Sequence, residues 1–122
     1  MKRLIAFFEI PSVDFKRAVK FYESVFGLKL NAMDFGREKM AFFPEESGKY
    51  AGAISYASDF KPSKDGVLIS FSVESMEIAL SNIEKNGGEI IIPKTKIEAE
   101  TMGYFATFTD SEGNRVGLYS NQ

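Results

Sequence analysis

The side chains that could do chemistry are few, and the absences narrow the field first. The sequence contains no histidine and no cysteine. The commonest zinc and iron ligand is therefore missing, together with the side chain that titrates near neutral pH. A disulfide framework, a thiolate ligand and a cysteine nucleophile are missing too. Carboxylates, hydroxyls and phenols remain. Glu9 stands out as the only carboxylate in the run Leu4–Val13. An apolar strand seldom carries Glu at a core-facing position, because a buried carboxylate is costly unless protonated or bonded. Burial among phenylalanines would raise its pKa toward the range of a general acid or base. The alternative is a strand-end carboxylate paired with a Lys or Arg. Glu45 and Glu46 form an acidic pair in a loop, where such pairs are usually solvated. The loop Lys94–Gly103, followed by Tyr104, reads either as a lid over a site or as an ordinary exposed loop.

The elements that must position these groups come as a repeat. Phe15, Ala18, Val19 and Tyr22 have the spacing of an amphipathic helix. Sixty-one positions on, from Phe15 to Met76, the residues Met76, Ala79, Leu80 and Ile83 show the same spacing in phase. Each helix follows an apolar strand, Leu4–Ile10 and Val67–Val73. Each has a plausible N-cap, Asp14 and Ser75, and each ends near a glycine, Gly27 and Gly88. Three β-rich stretches follow the first helix: Leu28–Phe35, Lys39–Phe43 and Ala51–Tyr56. Three follow the second: Glu89–Ile92, Tyr104–Thr109 and Arg115–Tyr119. Gly36, Pro44 with Ser47-Gly48, Pro93 and the stretch Asp110–Asn114 supply turn chemistry between them. The expected order is β-α-β-β-β, twice: a first unit over 1–57, a linker over 58–66 containing Pro62, and a second unit over 67–122. An α+β sandwich without internal symmetry is the competing reading.

A chain of 122 residues suits one domain, and 44% apolar content with twelve Phe and five Tyr suits an aromatic core. A net charge of −2 argues against a nucleic-acid partner, which would require a basic patch. After Met1-Lys2-Arg3 only five apolar residues, Leu4 to Phe8, precede Glu9. That run is too short for a signal peptide or a membrane span, so the expected location is cytoplasmic.

The segment Phe8-Glu9-Ile10-Pro11, Asp14-Phe15, Ala18, Phe21-Tyr22-Glu23, Phe26-Gly27-Leu28-Lys29 resembles the opening of a vicinal-oxygen-chelate protein. That superfamily includes glyoxalase I, bleomycin-resistance proteins and extradiol dioxygenases. Ile83-Glu84-x-x-Gly87-Gly88 and Asp110-x-Glu112-Gly113-Asn114-x-Val116-Gly117-Leu118 are similar to its middle and its last hairpin. The resemblance spans the chain. It implies an α+β fold of two tandem βαβββ units forming a cupped, mostly antiparallel sheet. It also implies a homodimer, although the units could pair within one chain or exchange between two.

Enzymes of this family place one metal ligand, typically His or Glu, on each of four strands. Carried over position by position, those ligands fall on Phe7, Ala53, Leu68 and Gly117. None of these side chains is a donor, so the resemblance implies no metal and no cofactor here. Strand residues two apart share a face. If the four positions face the cup, Glu9, Ser55, Ser70 and Tyr119 do too. With Phe43 in the wall and Tyr104 beside the possible lid, they make an apolar cup with convergent polar groups. Three functions follow: a metal-free binder of an unknown small molecule in the manner of bleomycin-resistance proteins; a metal-independent lyase or isomerase with Glu9 as general base; or an interaction domain whose cup is filled by Phe7 and Leu68. Glu9 as a salt-bridge partner and Tyr119 as a surface aromatic stay open as well.

Overall fold

The computed structural model describes residues 4–44 and 50–122, so Glu45, Glu46 and the Ser47-Gly48 turn lie outside the described residues. The elements are β1 (Phe8–Pro11), α1 (Phe15–Phe26), β2 (Asn31–Asp34), β3 (Lys39–Pro44) and β4 (Tyr50–Tyr56). They are followed by β5 (Ser70–Ser72), α2 (Met76–Lys85), β6 (Glu89–Lys96), β7 (Tyr104–Thr109) and β8 (Arg115–Ser120). They form two mixed four-stranded sheets with matching orders, β1-β4-β3-β2 and β5-β8-β7-β6. In each sheet the first strand runs parallel to the last, and the other two pairings are antiparallel. The fold is therefore α+β with two tandem βαβββ units.

The helices begin where the sequence places them. The Asp14 side chain accepts from Arg17 N, and the Ser75 side chain accepts from Ile78 N. Each cap satisfies one of the amides a helix start leaves open, for about 1 kcal/mol. Gly27, at φ 63°, ends α1 in the left-handed region. The end of α2 differs from expectation. Asn86 caps it, and Gly87, not Gly88, takes the positive φ of 93°. Gly88 is needed for closeness instead, since a Cβ there would lie 2.7 Å from Ile83 Cγ2 and 2.9 Å from the Thr109 carbonyl oxygen.

Strand limits also move. β1 and β5 are shorter than the apolar runs that announce them, because each is an edge strand paired along one side only. Pro93, expected to break the sheet, lies inside β6. That strand is an edge, and its register with β7 shifts between Ile92 and Thr95, which accommodates a residue with no amide to donate.

One core serves both units. It joins Ala18, Phe21, Tyr22 and Val25 of α1 with Met76, Ala79 and Ile83 of α2. Ile10, Ala41, Phe43 and Ile54 line it from the first sheet, and Ala106, Phe108, Val116 and Leu118 from the second. The repeat is visible in the burial: Ala18 and Ala79, Tyr22 and Ile83 are buried pairs sixty-one positions apart. Phe71 of β5 contacts Phe8, Phe26 and Phe43 of the first unit at centroid separations of 5.9, 4.7 and 5.4 Å.

The turn after β7 clasps the two units. Buried Asp110 accepts from Tyr22 Oη at 2.6 Å, from the amides of Glu112 and Asn114 at 2.9 Å, and from Asn114 Nδ2 at 3.0 Å. Glu112 accepts from the amides of Val13 and Asp14 at 2.9 and 2.7 Å, and from Arg17 Nε and Nη2 at 2.7 and 3.1 Å. Asn114 Nδ2 also donates to the Pro11 carbonyl at 2.8 Å. The start of α1 is thus capped from the far end of the second unit. Burial, and then the Asp110 carboxylate beside it, push the Tyr22 phenol well above its ordinary value of 10.0. An unfolded tyrosine ionises past pH 10 while folded Tyr22 does not, so its stability contribution is full below that pH and is lost as pH rises. Urea melts should show this alkaline loss reduced in Tyr22→Phe; an identical loss in the variant would refute the assignment.

Candidate functional site

The faces of the sheets turned away from the helices are called the front faces here. Register fixes their membership. Across the first sheet, Glu9, Ala53, Phe42 and Asn31 form one row, and Pro11, Ser55, Met40 and Met33 the next. Across the second, Ser70, Gly117, Thr107 and Ile92 form a row, followed by Ser72, Tyr119, Phe105 and Thr95. The two rows led by Glu9 and Ser70 are counterparts, sixty-one positions apart at their first residue.

On the first sheet the structure brings Phe7, Glu9, Ala53 and Ser55 to one region. Ser55 is buried, and its hydroxyl donates to Glu9 Oε1 at 2.8 Å. Ala53 is fully buried beneath its neighbours, and Phe7 keeps 36% of its surface exposed. Glu9 itself is exposed, not buried as expected. On the second sheet Ser70 and exposed Leu68 flank the start of β5. The Ser70 hydroxyl lies over Gly117, where a Cβ would meet Ser70 Oγ. Among the described residues, the cavities of about 770, 380 and 170 Å³ are each lined by members of at most one of these sets.

Phe43, expected in the wall, and Tyr104, expected beside the lid, both lie on the helix side. Phe43 is buried on the helix side, packed on Phe8, Tyr22 and Phe71. Alternation along β3 puts Phe42 on the front face instead, its ring 6.0 Å from Phe7 and 4.9 Å from Tyr50. Tyr104 shares the side of Ala106 and Phe108, opposite to Tyr119, and packs against the core. Lys94 and Lys96 lie over its ring, at 4.5 and 5.5 Å from the centroid. The loop thought to start at Lys94 begins after Lys96, whose ammonium donates to the carbonyls of Ile97 and Met102 at 2.9 and 2.6 Å. Tyr119 keeps its front-face parity, but its hydroxyl accepts from Gly103 N at 3.0 Å and so anchors that loop.

Thr107 escaped the sequence reading. It is buried beside Gly117, and its hydroxyl is the buried side-chain oxygen or nitrogen without a hydrogen-bond partner among the described residues. Strict alternation back from Thr109 would have placed it on the front face.

The positions to which the resemblance assigns the family's metal ligands hold Phe7, Ala53, Leu68 and Gly117, and side chains of these types offer a transition metal no donor. Among the described residues no three His, Cys, Asp or Glu side chains converge on a point that could hold an ion.

The comparisons agree on ancestry. A family model described as the Glyoxalase/Bleomycin resistance protein/Dioxygenase superfamily matches residues 4–118. A glyoxylase-like domain-containing protein from Didymella fabae is 30% identical over 111 residues, covering 87% of this chain and 84% of that protein. Among solved structures, a glyoxylase/bleomycin resistance protein/dioxygenase domain from Frankia sp. EAN1pec superimposes with a TM-score of 0.73 at 13% identity, covering 100% of both chains. Glyoxalase I from Zea mays gives a TM-score of 0.73 at 20% identity, covering 95% of this chain and 45% of the maize chain, so this chain spans about half of it. At such identities the structural likeness speaks for fold alone. The family match, the paired βαβββ topology and the repeated caps together place this chain in the glyoxalase/bleomycin resistance protein/dioxygenase superfamily.

Proposed function

We propose that this protein binds a small molecule on its front faces, without a transition metal and as a homodimer. The observation that carries this reading is the first front face, where exposed Glu9 accepts from buried Ser55 in rows that also hold Met40 and Phe42, with Phe7 against Phe42. An apolar wall with few polar groups is the usual make-up of a small-molecule site. The non-donor set at Phe7, Ala53, Leu68 and Gly117 supports metal independence. The exposed Phe7, at 36%, and Leu68, at 48%, support a second copy closing the open faces. The proposal includes a cytoplasmic setting without nucleic-acid or membrane partners, supported by the small net charge of −2.

The Ser55–Glu9 hydrogen bond favours a second reading. A carboxylate oriented by a hydroxyl can act as the general base of a metal-independent lyase or isomerase. An interaction domain with a filled cup is disfavoured by the exposure of the two residues that would fill it.

Native mass spectrometry and elemental analysis of untagged protein test the reading together. The expected result is a dimer that retains small molecules from a metabolite mixture and carries no stoichiometric zinc, nickel or iron. Glu9→Gln keeps the shape and removes the charge, and should weaken that binding about tenfold with unchanged melting, the size of one lost charge-assisted contact. About one chelator-removable metal per chain would overturn the metal-free reading. A monomer with no bound molecule would overturn the rest, and a Glu9→Gln variant that melts lower but binds normally would make Glu9 structural.

A further inference from the structure

A cleft beside β1 supports a second inference, and it shares only Glu9 with the front-face site. β1 and β5 are edge strands of separate sheets and do not pair with each other. A cavity of about 380 Å³ is lined by β1, by Val67 and Ile69 ahead of β5, by the start of β8 and by the linker residues Phe60, Lys61, Ser63 and Gly66. Its floor includes Phe8, Ile10 and Val116, of which Ile10 and Val116 belong to the shared core. Phe60 and Val67 stand at its sides, exposed at 37% and 89%. Apolar side chains left in water around a concavity are surface that a bound apolar body would cover.

The lining also holds two cations, Lys61 and Arg115, both exposed. Among the described residues the ion pairs are Arg17–Glu112 and Lys94–Glu77, so neither of these cations has an acidic partner. The one acid in the lining, Glu9, takes the Ser55 hydroxyl from neighbouring β4. An apolar floor with two unneutralised cations beside it matches a molecule that is apolar along its body and anionic at its head. The volume is at the lower end of what small-molecule sites enclose, about 300–1,000 Å³.

We propose that this cleft binds a carboxylate with a medium-length apolar tail, the carboxylate at Lys61 and Arg115 and the tail over Ile10 and Val116. Two hydrogen bonds tie the linker to the start of β8: Ser63 N donates to the side-chain Oδ1 of Asn114 at 3.1 Å, and Arg115 N donates to the Ser63 carbonyl at 3.4 Å. The linker and β8 thus carry the two cations on one tied frame.

Isothermal titration with decanoate, with decanol and decylamine as neutral and cationic counterparts, tests this. Decanoate should bind saturably at one molecule per chain, more tightly than either counterpart. The double variant Lys61→Glu/Arg115→Glu, changed only at exposed positions, should weaken decanoate at least about tenfold and turn the preference toward decylamine. Ile69→Trp, which fills the cleft, should abolish binding of all three. Lys20→Glu, a charge reversal on α1 outside the cleft, should change nothing. No saturation below the micelle concentration overturns the proposal, as does equal weakening by Lys20→Glu or indifference to the double variant. A dimer that dissociates on charge reversal while decanoate fails to bind also overturns it, and makes the cleft a contact between copies of this chain.

Discussion

Asp110→Ala is expected to cost about 3–5 kcal/mol, because it removes the carboxylate on which the buried network converges. Four hydrogen bonds converge on this carboxylate, from Tyr22, from two amides and from the Asn114 side chain. Water cannot replace them easily, since Asp110, Asn114 and Tyr22 are all buried. Small domains hold about 5–15 kcal/mol in total, so the variant should be partly unfolded at ambient temperature. Asp110→Asn keeps one carbonyl oxygen and should lose less, while Tyr22→Phe, which removes a single donor, should lose about 1–2 kcal/mol. Urea melts of the three variants give the ranking. A loss of under about 1 kcal/mol for Asp110→Ala, the size of an ordinary surface change, would mean that the clasp contributes little.

Glu112→Gln is expected to lose about 2 kcal/mol at pH 7, since it weakens a bidentate Arg17 pair and two amide contacts at once. The Glu112 side chain has no accessible surface, and burial by itself would raise its pKa. The hydrogen bonds from Arg17, the Asp14 amide, Ser111 and the Val13 amide outweigh burial and hold it below the usual carboxylate value of 4.5. A depressed folded pKa contributes stability that is full above the unfolded value and is lost as pH falls through the folded one. The gap between the wild-type protein and Glu112→Gln should therefore be widest above about pH 5 and shrink toward acid. A gap that stays constant from neutral pH to pH 3 would assign the loss to shape rather than charge.

The fold could be read from the sequence because its signals are local. The two helical stripes, their Asp14 and Ser75 caps and the Gly27 terminus depend on neighbours within a few residues, and the structure keeps all of them. Pro93 misled because edge position and a register shift, which excuse a proline inside a strand, are properties of the assembled sheet. The front face was half legible. Parity along single strands groups Glu9, Ser55, Ser70 and Tyr119, but Phe43 and Tyr104 fall outside that rule, and alternation puts both on the helix side. The clasp was invisible for a different reason. Asp110–Asn114 has the composition of a plain turn, and nothing local shows that Glu112 completes a helix start nearly a hundred positions earlier.

That separation has a bearing on how the chain acquires its structure. The contacts from Glu112 to Val13, Asp14 and Arg17 span 95–99 residues, and the Tyr22–Asp110 bond spans 88. Closing loops of that length precedes any gain from the contacts they allow, which slows folding. During synthesis the first unit emerges whole long before residue 112, yet α1 then lacks its outer cap and Tyr22 lacks its acceptor. The repeated architecture suggests two folding steps, but the wiring makes the first step incomplete until the second is nearly done. In the nascent first half Phe21 still lacks Phe108, and Phe43 and Phe8 still lack Phe71, so apolar rings that the finished core covers have no partner from the second unit at that stage.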